Sequence, residues 1–251
     1  MSMRPIVTLI TDFGTADGYV GEMKGVLVSR AANVQVVDIT HDIPPGDIDR
    51  ARLTLARVWR RFPPRSIHLV VVDPGVGSSR AAIIVCGDGR YLVGPDNGVL
   101  SPALLDQGAR VRALSIDPTA SATFHGRDVF APAAAALARG ESFESFGSIL
   151  SAPIIRRTPE PTRREDGSIA GEVIGVDRFG NAITNLIPLR PGMIEIEGTH
   201  ISLRRTYSAV DSGAFVAVVG STGFIEIAMR DGDAAGALSL RRGDAVVFRP
   251  T

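Results

Sequence analysis

Short apolar runs alternate with stretches of helical spacing through the first half of the chain. The run at 67–72 is almost wholly apolar, which is typical of a strand covered on both faces. Residues 47–62 repeat apolar side chains at helical spacing, and Asp47 lies at the expected N-cap. The pattern predicts strands at 5–10, 34–39, 67–72, 81–86, 91–93 and 110–116, and helices at 17–31, 47–62, 99–105 and 128–139. Strands that alternate with helices predict a mainly parallel sheet between helical layers.

The helical pattern almost disappears beyond residue 169. Segment 151–167 carries three prolines among charged residues and has no periodicity, which is typical of a linker. Short β-rich runs separated by Gly, Pro and Asp turns follow it, and their spacing predicts a small β-barrel or sandwich. The chain is therefore predicted to be α/β, with an N-terminal domain over 1–151, a linker over 152–168 and a C-terminal all-β domain over 169–251.

Composition and charge argue against nucleic acid or a membrane as a partner of this protein. The 251 residues are 45% hydrophobic and 22% charged, which is ordinary for a globular protein, and the formal net charge is zero. A neutral chain has no field that gathers nucleic acid or an anionic membrane, so we expect neither as a partner. The single cysteine, Cys86, excludes an internal disulfide. No leader or membrane-length apolar run is visible, and the cytoplasm is the expected compartment.

Three polar segments stand out in apolar surroundings: TDFG at 11–14, DPGVGSSR at 73–80 and TFHGRD at 123–128. In an α/β protein the loops past the carboxyl ends of parallel strands form the ligand crevice. Burying Asp, Arg and His side chains costs free energy unless something requires them there. The three segments therefore predict a site.

Each segment also has a purely structural interpretation. Asp12 could accept two hydrogen bonds from a sugar diol or cap the following helix or turn, and spacing alone favours neither. The Pro and Gly residues after Asp73 are typical of a tight turn, and Arg80 is close enough in sequence to fold back onto the Asp73 carboxylate. A lone histidine such as His125 is more often structural than catalytic.

The sequence lacks the motifs of several common site types, namely phosphate loops, dinucleotide-binding loops, nucleophilic serine elbows and metal sites. The chain has no GxxxxGK[ST] loop, no GxGxxG run that opens a helix and no GxSxG elbow. The other histidines, at 41, 68 and 200, show no metal-ligand spacing with one another. We therefore expect no metal, no cofactor and no covalent nucleophile.

Taken together and in order, six segments resemble one family: TDFG, DPGVGSSR, GPDNGVLSP, TFHGRDVFAP, DRFGNAITN and GSTGFIEIA. The chain resembles the adenosine-forming S-adenosyl-L-methionine (SAM) hydrolases, also called SAM hydroxide adenosyltransferases, which are relatives of the fluorinase and chlorinase. The resemblance runs from residue 6 to about residue 249 and is weakest in the linker. It implies hydrolysis of SAM to adenosine and L-methionine by attack of an activated water on ribose C5′. It also implies a homotrimer with sites at the subunit interfaces.

The resemblance assigns roles to individual residues. It implies that Asp73, Arg80 and His125 position and activate the water, and that Asp12 holds the ribose hydroxyls. It also implies that Thr123 and Phe124 contact the nucleoside. The residues that it places at the methionine and adenine ends are Asp177, Phe179, Asn181 and Ser221. Tyr207, matched only by approximate position, is implied to be the aromatic residue that stacks on adenine.

Two alternatives stay open at this point. A halogenase on the same fold is disfavoured, because halogenases replace the aspartate of the trio with tyrosine and carry an extra loop for which 80–96 leaves no room. A non-catalytic SAM or adenosine sensor would keep the pocket without turnover. One departure from the family is local: Gly220 stands where the family commonly has asparagine.

Overall fold

The computed structural model describes residues 4–196 and 198–251, which divide into two compact units. The first unit ends at Arg156 and the second begins at Arg157, inside the proline-containing segment 152–168. The strands of the first unit are β1 (Ile6–Thr11), β2 (Gln35–Thr40), β3 (Ile67–Val71), β4 (Ala82–Gly87), β5 (Arg90–Pro95), β6 (Arg110–Ala113) and β7 (Ser148–Ile149). Its helices are α1 (Tyr19–Arg30), α2 (Ile48–Val58), α3 (Ser101–Leu104) and α4 (Ala131–Ala138).

The sheet of the first unit has the order β2-β1-β3-β5-β4-β6-β7. Strands β2, β1, β3 and β5 pair in parallel, and β4, β6 and β7 continue the sheet in antiparallel fashion. Thr11 at the end of β1 is in register with Val71 at the end of β3. This register brings the segments that begin at Asp12 and Asp73 to the same edge of the sheet.

Helices cover both faces of this sheet. Leu69 and Val71 of β3 pack into a core with Met23 and Leu27 of α1 and with the alanine-rich α4. The alternate residues of the same strand region face a second core, which contains α2, α3 and the buried Trp59. Because successive strand side chains point to opposite faces, the continuous apolar run at 67–72 supplies both cores. The predicted α/β class is confirmed.

The second unit is built around a closed β-barrel. Its strands are β8 (Thr162–Arg163), β9 (Ile169–Val176), β10 (Ala182–Thr184), β11 (Gly192–Ile196), β12 (Thr199–Arg204), β13 (Phe215–Val219), β14 (Ile225–Met229) and β15 (Ala245–Pro250). Seven of them form the ring β9-β10-β14-β13-β12-β11-β15, which closes because β15 and β10 both pair with β9. The eighth strand, β8, lies outside the ring and pairs with β9 in antiparallel fashion. Inward side chains such as Val173, Ile194 and Phe248 fill the barrel.

Two helical features differ from the predicted elements. The helix expected over 128–139 begins earlier, as a π-helical turn over Gly126–Phe130 that runs directly into α4. A short helix, α5 (Ala234–Ala237), lies in the half predicted to be all β. Asp47 is the N-cap of α2, as predicted, and accepts a hydrogen bond from the Arg50 backbone N–H at 3.0 Å.

Candidate active site

A buried ion pair closes the loop that follows β3. Arg80 folds back so that its Nε lies 3.0 Å from each Asp73 carboxylate oxygen, and its Nη2 also donates to Oδ2. The two side chains are only 9% and 5% exposed. Desolvating two charges is costly, and a guanidinium that makes several hydrogen bonds to one carboxylate offsets that cost. The pair therefore fixes the 73–80 loop in one conformation.

His125 extends this pair into a line of three side chains. Arg80 Nη2 donates a hydrogen bond to His125 Nδ1 at 2.8 Å. A guanidinium has only donors, so Nδ1 is the unprotonated nitrogen and the imidazole proton is on Nε2. Burial and the adjacent Arg80 charge lower the pKa of His125, against the opposing charges of Asp73 and Asp128. The imidazole is therefore neutral at neutral pH.

One nitrogen of this line has no partner. Arg80 Nη1 is buried and makes no hydrogen bond to any of the described residues. The ring of Phe130, itself fully buried, lies under the guanidinium with its centroid 5.3 Å from Arg80 Cζ. An unsatisfied buried donor costs about 1–3 kcal/mol, so such groups are rare. Arg80 Nη1 is therefore a donor available to a ligand oxygen.

Gly77 sets how closely the 73–80 loop approaches the segment before His125. Its φ is +78°, and a Cβ built on it would lie 2.6 Å from the Ala122 carbonyl oxygen. Two consecutive turns shape the same loop, with hydrogen bonds from Val76 N–H to the Asp73 carbonyl and from Ser78 N–H to the Gly75 carbonyl. Only a residue without a side chain fits this contact, which keeps Arg80 within reach of His125.

Hydrogen bonds to Asp128 stabilise the π-helical turn that follows His125. The Asp128 carboxylate accepts a hydrogen bond from the Ser121 backbone N–H at 2.9 Å, and Arg127 donates to it in turn. The hydrogen bond from Arg127 is the main cause of the lowered pKa of Asp128. Single π-helical turns inside α-helices are frequent at functional sites. No local sequence signal predicts this turn, although Asp128 lies in the TFHGRD segment.

Asp12 lies at the same edge of the sheet. Its Oδ2 accepts a hydrogen bond from the Gly46 backbone N–H at 2.8 Å. Helix α1 begins after Gly18 and has no side-chain cap, so Asp12 does not cap it. Burial, with a smaller effect from the Asp73 charge, raises the pKa of Asp12. This half-buried carboxylate near a second carboxylate favours a cationic or hydroxyl-bearing ligand.

Aromatic rings line the neighbourhood of Asp12. Phe124 is 9% exposed, and its ring packs edge-on against Phe13 and Tyr19, with centroids 5.8 and 5.3 Å away. Thr123 is exposed, and its hydroxyl lies 3.2 Å from the Ser121 hydroxyl. Of the residues predicted for the nucleoside, Phe124 is therefore the buried member of an aromatic cluster whose Tyr19 is 48% exposed, and Thr123 offers a polar surface.

In the second unit, three predicted residues share one turn. The Asp177 carboxylate accepts hydrogen bonds from the Phe179 and Asn181 backbone N–H groups at 2.8 and 2.9 Å, and from the Asn181 side-chain amide at 2.9 Å. This turn leaves the Phe179 ring 76% exposed. The Ala235 N–H of α5 donates to the Gly180 carbonyl at 2.8 Å, so the unpredicted helix anchors the turn. The turn therefore presents an outward aromatic face on a rigid base.

Tyr207 has a partner that the sequence analysis missed. Its hydroxyl donates to Glu226 Oε2 at 2.9 Å, and Glu226 is 7% exposed on β14. Burial, followed by the hydrogen bond and charge of Glu226, raises the pKa of Tyr207 to about 12. A Cβ on Gly220 would overlap the Glu226 carboxylate. Glycine at this position is thus explained by Glu226, whose only sequence signal is a single carboxylate within the apolar run 224–229. Ser221, beside it, is exposed.

Within residues 4–196 and 198–251, no group of three or more His, Cys, Asp or Glu side chains is arranged to hold a metal ion. In the same described ranges, no helix has the length and apolarity needed to cross a membrane.

Comparison with known proteins covers both units. Residues 7–147 match the N-terminal domain of SAM hydroxide adenosyltransferases, and residues 171–247 match the C-terminal domain. A Thermus thermophilus relative named (R)-S-adenosyl-L-methionine hydrolase is 42% identical over 96% of this chain and 98% of its own length. A fluorinase from Actinopolyspora mzabensis is 27% identical over 73% of this chain and 72% of its own length. The crystal structure of an uncharacterized conserved protein from Thermotoga maritima is 34% identical, with a TM-score of 0.88, and the match covers 97% of this chain and 99% of that one.

Proposed function

Because the chain belongs to the SAM hydroxide adenosyltransferase family, we propose that it hydrolyses SAM to adenosine and L-methionine. The observation that carries the proposal is the line of Asp73, Arg80 and His125, with Arg80 Nη1 left as a buried donor. A water oxygen is a ligand of the right size and polarity for that donor. In this proposal Asp73, Arg80 and His125 position and activate the water, and the surrounding residues bind the substrate.

The reaction needs a positioned nucleophile and little else. The sulfonium of SAM makes ribose C5′ electrophilic, and an in-line attack forms the C5′–O bond while the C5′–S bond breaks. The electron pair of the broken bond goes to sulfur and leaves methionine as a neutral thioether. Holding oxygen and carbon in a near-attack geometry is worth about 7–11 kcal/mol. The barrier is therefore lowered mainly by orientation.

The proton of the attacking water must also leave. Arg80 Nη1 donates to the water oxygen and orients it. Because Asp73 bonds the Nε–Nη2 edge of the planar guanidinium, the proton passes to its carboxylate through one bridging water. Neutral His125 accepts from Arg80 Nη2 and so keeps the guanidinium in place. General-base assistance of this kind contributes roughly 10²–10⁴-fold in rate.

The remaining predicted residues bind the substrate in this proposal. Asp12 accepts hydrogen bonds from the ribose hydroxyls, and its carboxylate together with Asp73 favours the cationic sulfonium. Thr123 and Phe124 contact the nucleoside. In the second unit, Tyr207 stacks on adenine, and the others contact the adenine and methionine ends: Asp177, Phe179, Asn181 and Ser221.

We further propose a homotrimer with its sites at subunit interfaces. The support is the exposure of two aromatic rings in the single chain, 76% for Phe179 and 44% for Tyr207, since a ring that stacks on a base is covered on that face when it is occupied. Light scattering is expected to give three times the 26.5 kDa chain mass. A monomer that binds SAM fully would contradict shared sites. The expected cytoplasmic location stays a prediction, to be tested by fractionation.

A chromatographic assay tests the activity. The purified protein is incubated with SAM, with and without chloride or fluoride, and adenosine, methionine and halogenated nucleosides are separated. We expect adenosine and methionine in equal amounts and no effect of halide. A halogenated nucleoside would instead identify a halogenase, and tight SAM binding without any product would identify a sensor.

A matched pair of variants connects the activity to the trio. Arg80 and Arg90 are both 9% exposed at the side chain, and both pair with an aspartate, but Arg90 lies at the start of β5, at the opposite end of the strands from Asp73. We expect Arg80→Ala to lower kcat by roughly 10²–10⁴-fold with a much smaller change in the SAM dissociation constant. Arg90→Ala is expected to lower stability and to leave kcat per folded protein unchanged. Equal kcat losses in both variants would contradict the assignment.

A further inference from the structure

His41 holds both ends of the TDFG turn. Its Nδ1 lies 2.8 Å from the Thr11 hydroxyl, and its carbonyl oxygen accepts a hydrogen bond from the Gly14 N–H at 2.8 Å. Thr11 precedes Asp12 and Gly14 follows Phe13, so the two bonds bracket Asp12 and Phe13. Neither a cap nor a strand ladder supplies these bonds, and the turn depends on a residue distant in sequence.

His41 is buried next to the ion pair of Lys24 and Asp38. His41 is 6% exposed and Thr11 is fully buried. Asp38 Oδ1 lies 3.1 Å from His41 Nε2, which makes no hydrogen bond to the described residues, and Lys24, the only lysine of the chain, lies 2.6 Å from Asp38 Oδ2. The Thr11 oxygen also accepts a hydrogen bond from the Phe13 N–H at 3.4 Å, so the Thr11 hydroxyl joins His41 to the backbone inside the turn.

The segment that begins with His41 reaches the turn once more. Five residues later, the Gly46 N–H donates to Asp12 Oδ2 at 2.8 Å. Segment 41–46 therefore contacts Thr11, Asp12 and Gly14, one bond to each. One of these bonds holds the Asp12 carboxylate directly, and the other two hold the residues on either side of the Asp12–Phe13 pair.

We propose that His41 is a positioning residue, which holds the TDFG turn so that Asp12 meets the ribose of the substrate. The inference rests on the proposed function, because it takes from it the role of Asp12. His41 does not touch the reacting atoms in this scheme and acts only through the turn. Its loss is therefore expected to weaken nucleoside binding by the same route as the loss of Asp12.

The sheet contains a natural control for this contact. His68 Nδ1 lies 2.8 Å from the Thr8 hydroxyl, and both residues are fully buried. Thr8 and His68 face each other within the paired strands β1 and β3. The same type of bond therefore occurs twice on β1, once at the ligand edge and once inside the sheet.

The experiment measures adenosine affinity by calorimetry and the melting temperature in parallel. Thr11→Val and Thr8→Val each remove one buried hydroxyl bonded to a histidine, and both are expected to lower the melting temperature by similar amounts. Only Thr11→Val and His41→Ala are expected to weaken adenosine binding, by about tenfold. His41→Asn, whose side-chain oxygen can accept the Thr11 hydroxyl, is expected to recover most of the affinity.

A double variant separates positioning from general damage. If the contact acts through Asp12, Thr11→Val combined with Asp12→Ala binds adenosine no more weakly than Asp12→Ala alone. Additive losses, or wild-type affinity in Thr11→Val, would overturn the inference. If wild type fails to bind adenosine, or Asp12→Ala binds as tightly as wild type, the ribose role in the proposed function is wrong and the inference falls with it. An effect of Asp12→Ala without an effect of Thr11→Val refutes the inference alone.

Discussion

Replacing Gly77 by alanine perturbs the contact that keeps Arg80 beside His125. Alanine at a φ of +78° costs about 1–2 kcal/mol of stability. The new Cβ would also lie 2.6 Å from the Ala122 carbonyl oxygen. Ordinary contacts need about 3.5 Å, so the two loops must separate by about 0.9 Å. Misplacement by about 1 Å can cost about 10²-fold in rate, and we therefore expect kcat for SAM hydrolysis to fall by roughly 10–100-fold.

Gly108→Ala is the matched control. Gly108 has a φ of +84°, and no heavy atom lies within 4 Å of its built Cβ. The variant carries the same backbone strain without displacing a loop. Urea unfolding is expected to give a stability loss for both variants, larger for Gly77→Ala because of the added contact with Ala122, and initial rates of adenosine formation are expected to fall only for Gly77→Ala. A Gly77→Ala kcat within twofold of wild type, or an equal loss in Gly108→Ala, would refute the reasoning.

Two further predictions concern Arg80 and His68. Arg80→Lys is expected to lower kcat by about 10²-fold, because a single ammonium cannot bond Asp73, His125 and water together; a rate near that of wild type would argue against this geometry. Burial, with the Arg90 charge, lowers the pKa of His68 to about 4, so its neutral form stabilises the fold above pH 6.5, and that stability is lost as the pH falls toward 4. Between pH 7 and pH 4 this lowers the free energy of unfolding, measured in urea, by about 3 kcal/mol, and the contribution is expected to be absent in His68→Gln. Equal pH dependence of stability in wild type and His68→Gln would contradict this prediction.

Local signals predicted the parts of the fold that local rules govern. The N-cap at Asp47 needs only a side chain three residues before an N–H group, and the strand at 67–72 needs only a continuous apolar run. The ion pair between Asp73 and Arg80 was also within reach, because the turn residues between them bring the loop back. Each of these depends on neighbours along the chain.

The contacts that the sequence analysis missed join residues far apart in sequence. Glu226 meets Tyr207 across 19 positions, and Gly46 meets Asp12 across 34. Such pairs leave no periodicity, since their partners are set by how strands and loops are arranged in space. The π-helical turn after His125 was missed for another reason: the bond between Ser121 and Asp128 spans only seven positions, but helical spacing does not reveal it. Gly220 was seen as a departure from the family, but its cause required the position of Glu226.

The most direct test of the central claim follows the oxygen atom. Wild-type protein is incubated with SAM in ¹⁸O-labelled water, and adenosine and methionine are analysed by mass spectrometry. Attack of water on C5′ requires one ¹⁸O atom in the 5′-hydroxyl of adenosine and none in methionine. In Asp73→Ala the labelled adenosine is expected to form at least about 10²-fold more slowly. Label in methionine, unlabelled adenosine, or a near-normal rate in Asp73→Ala would contradict the mechanism.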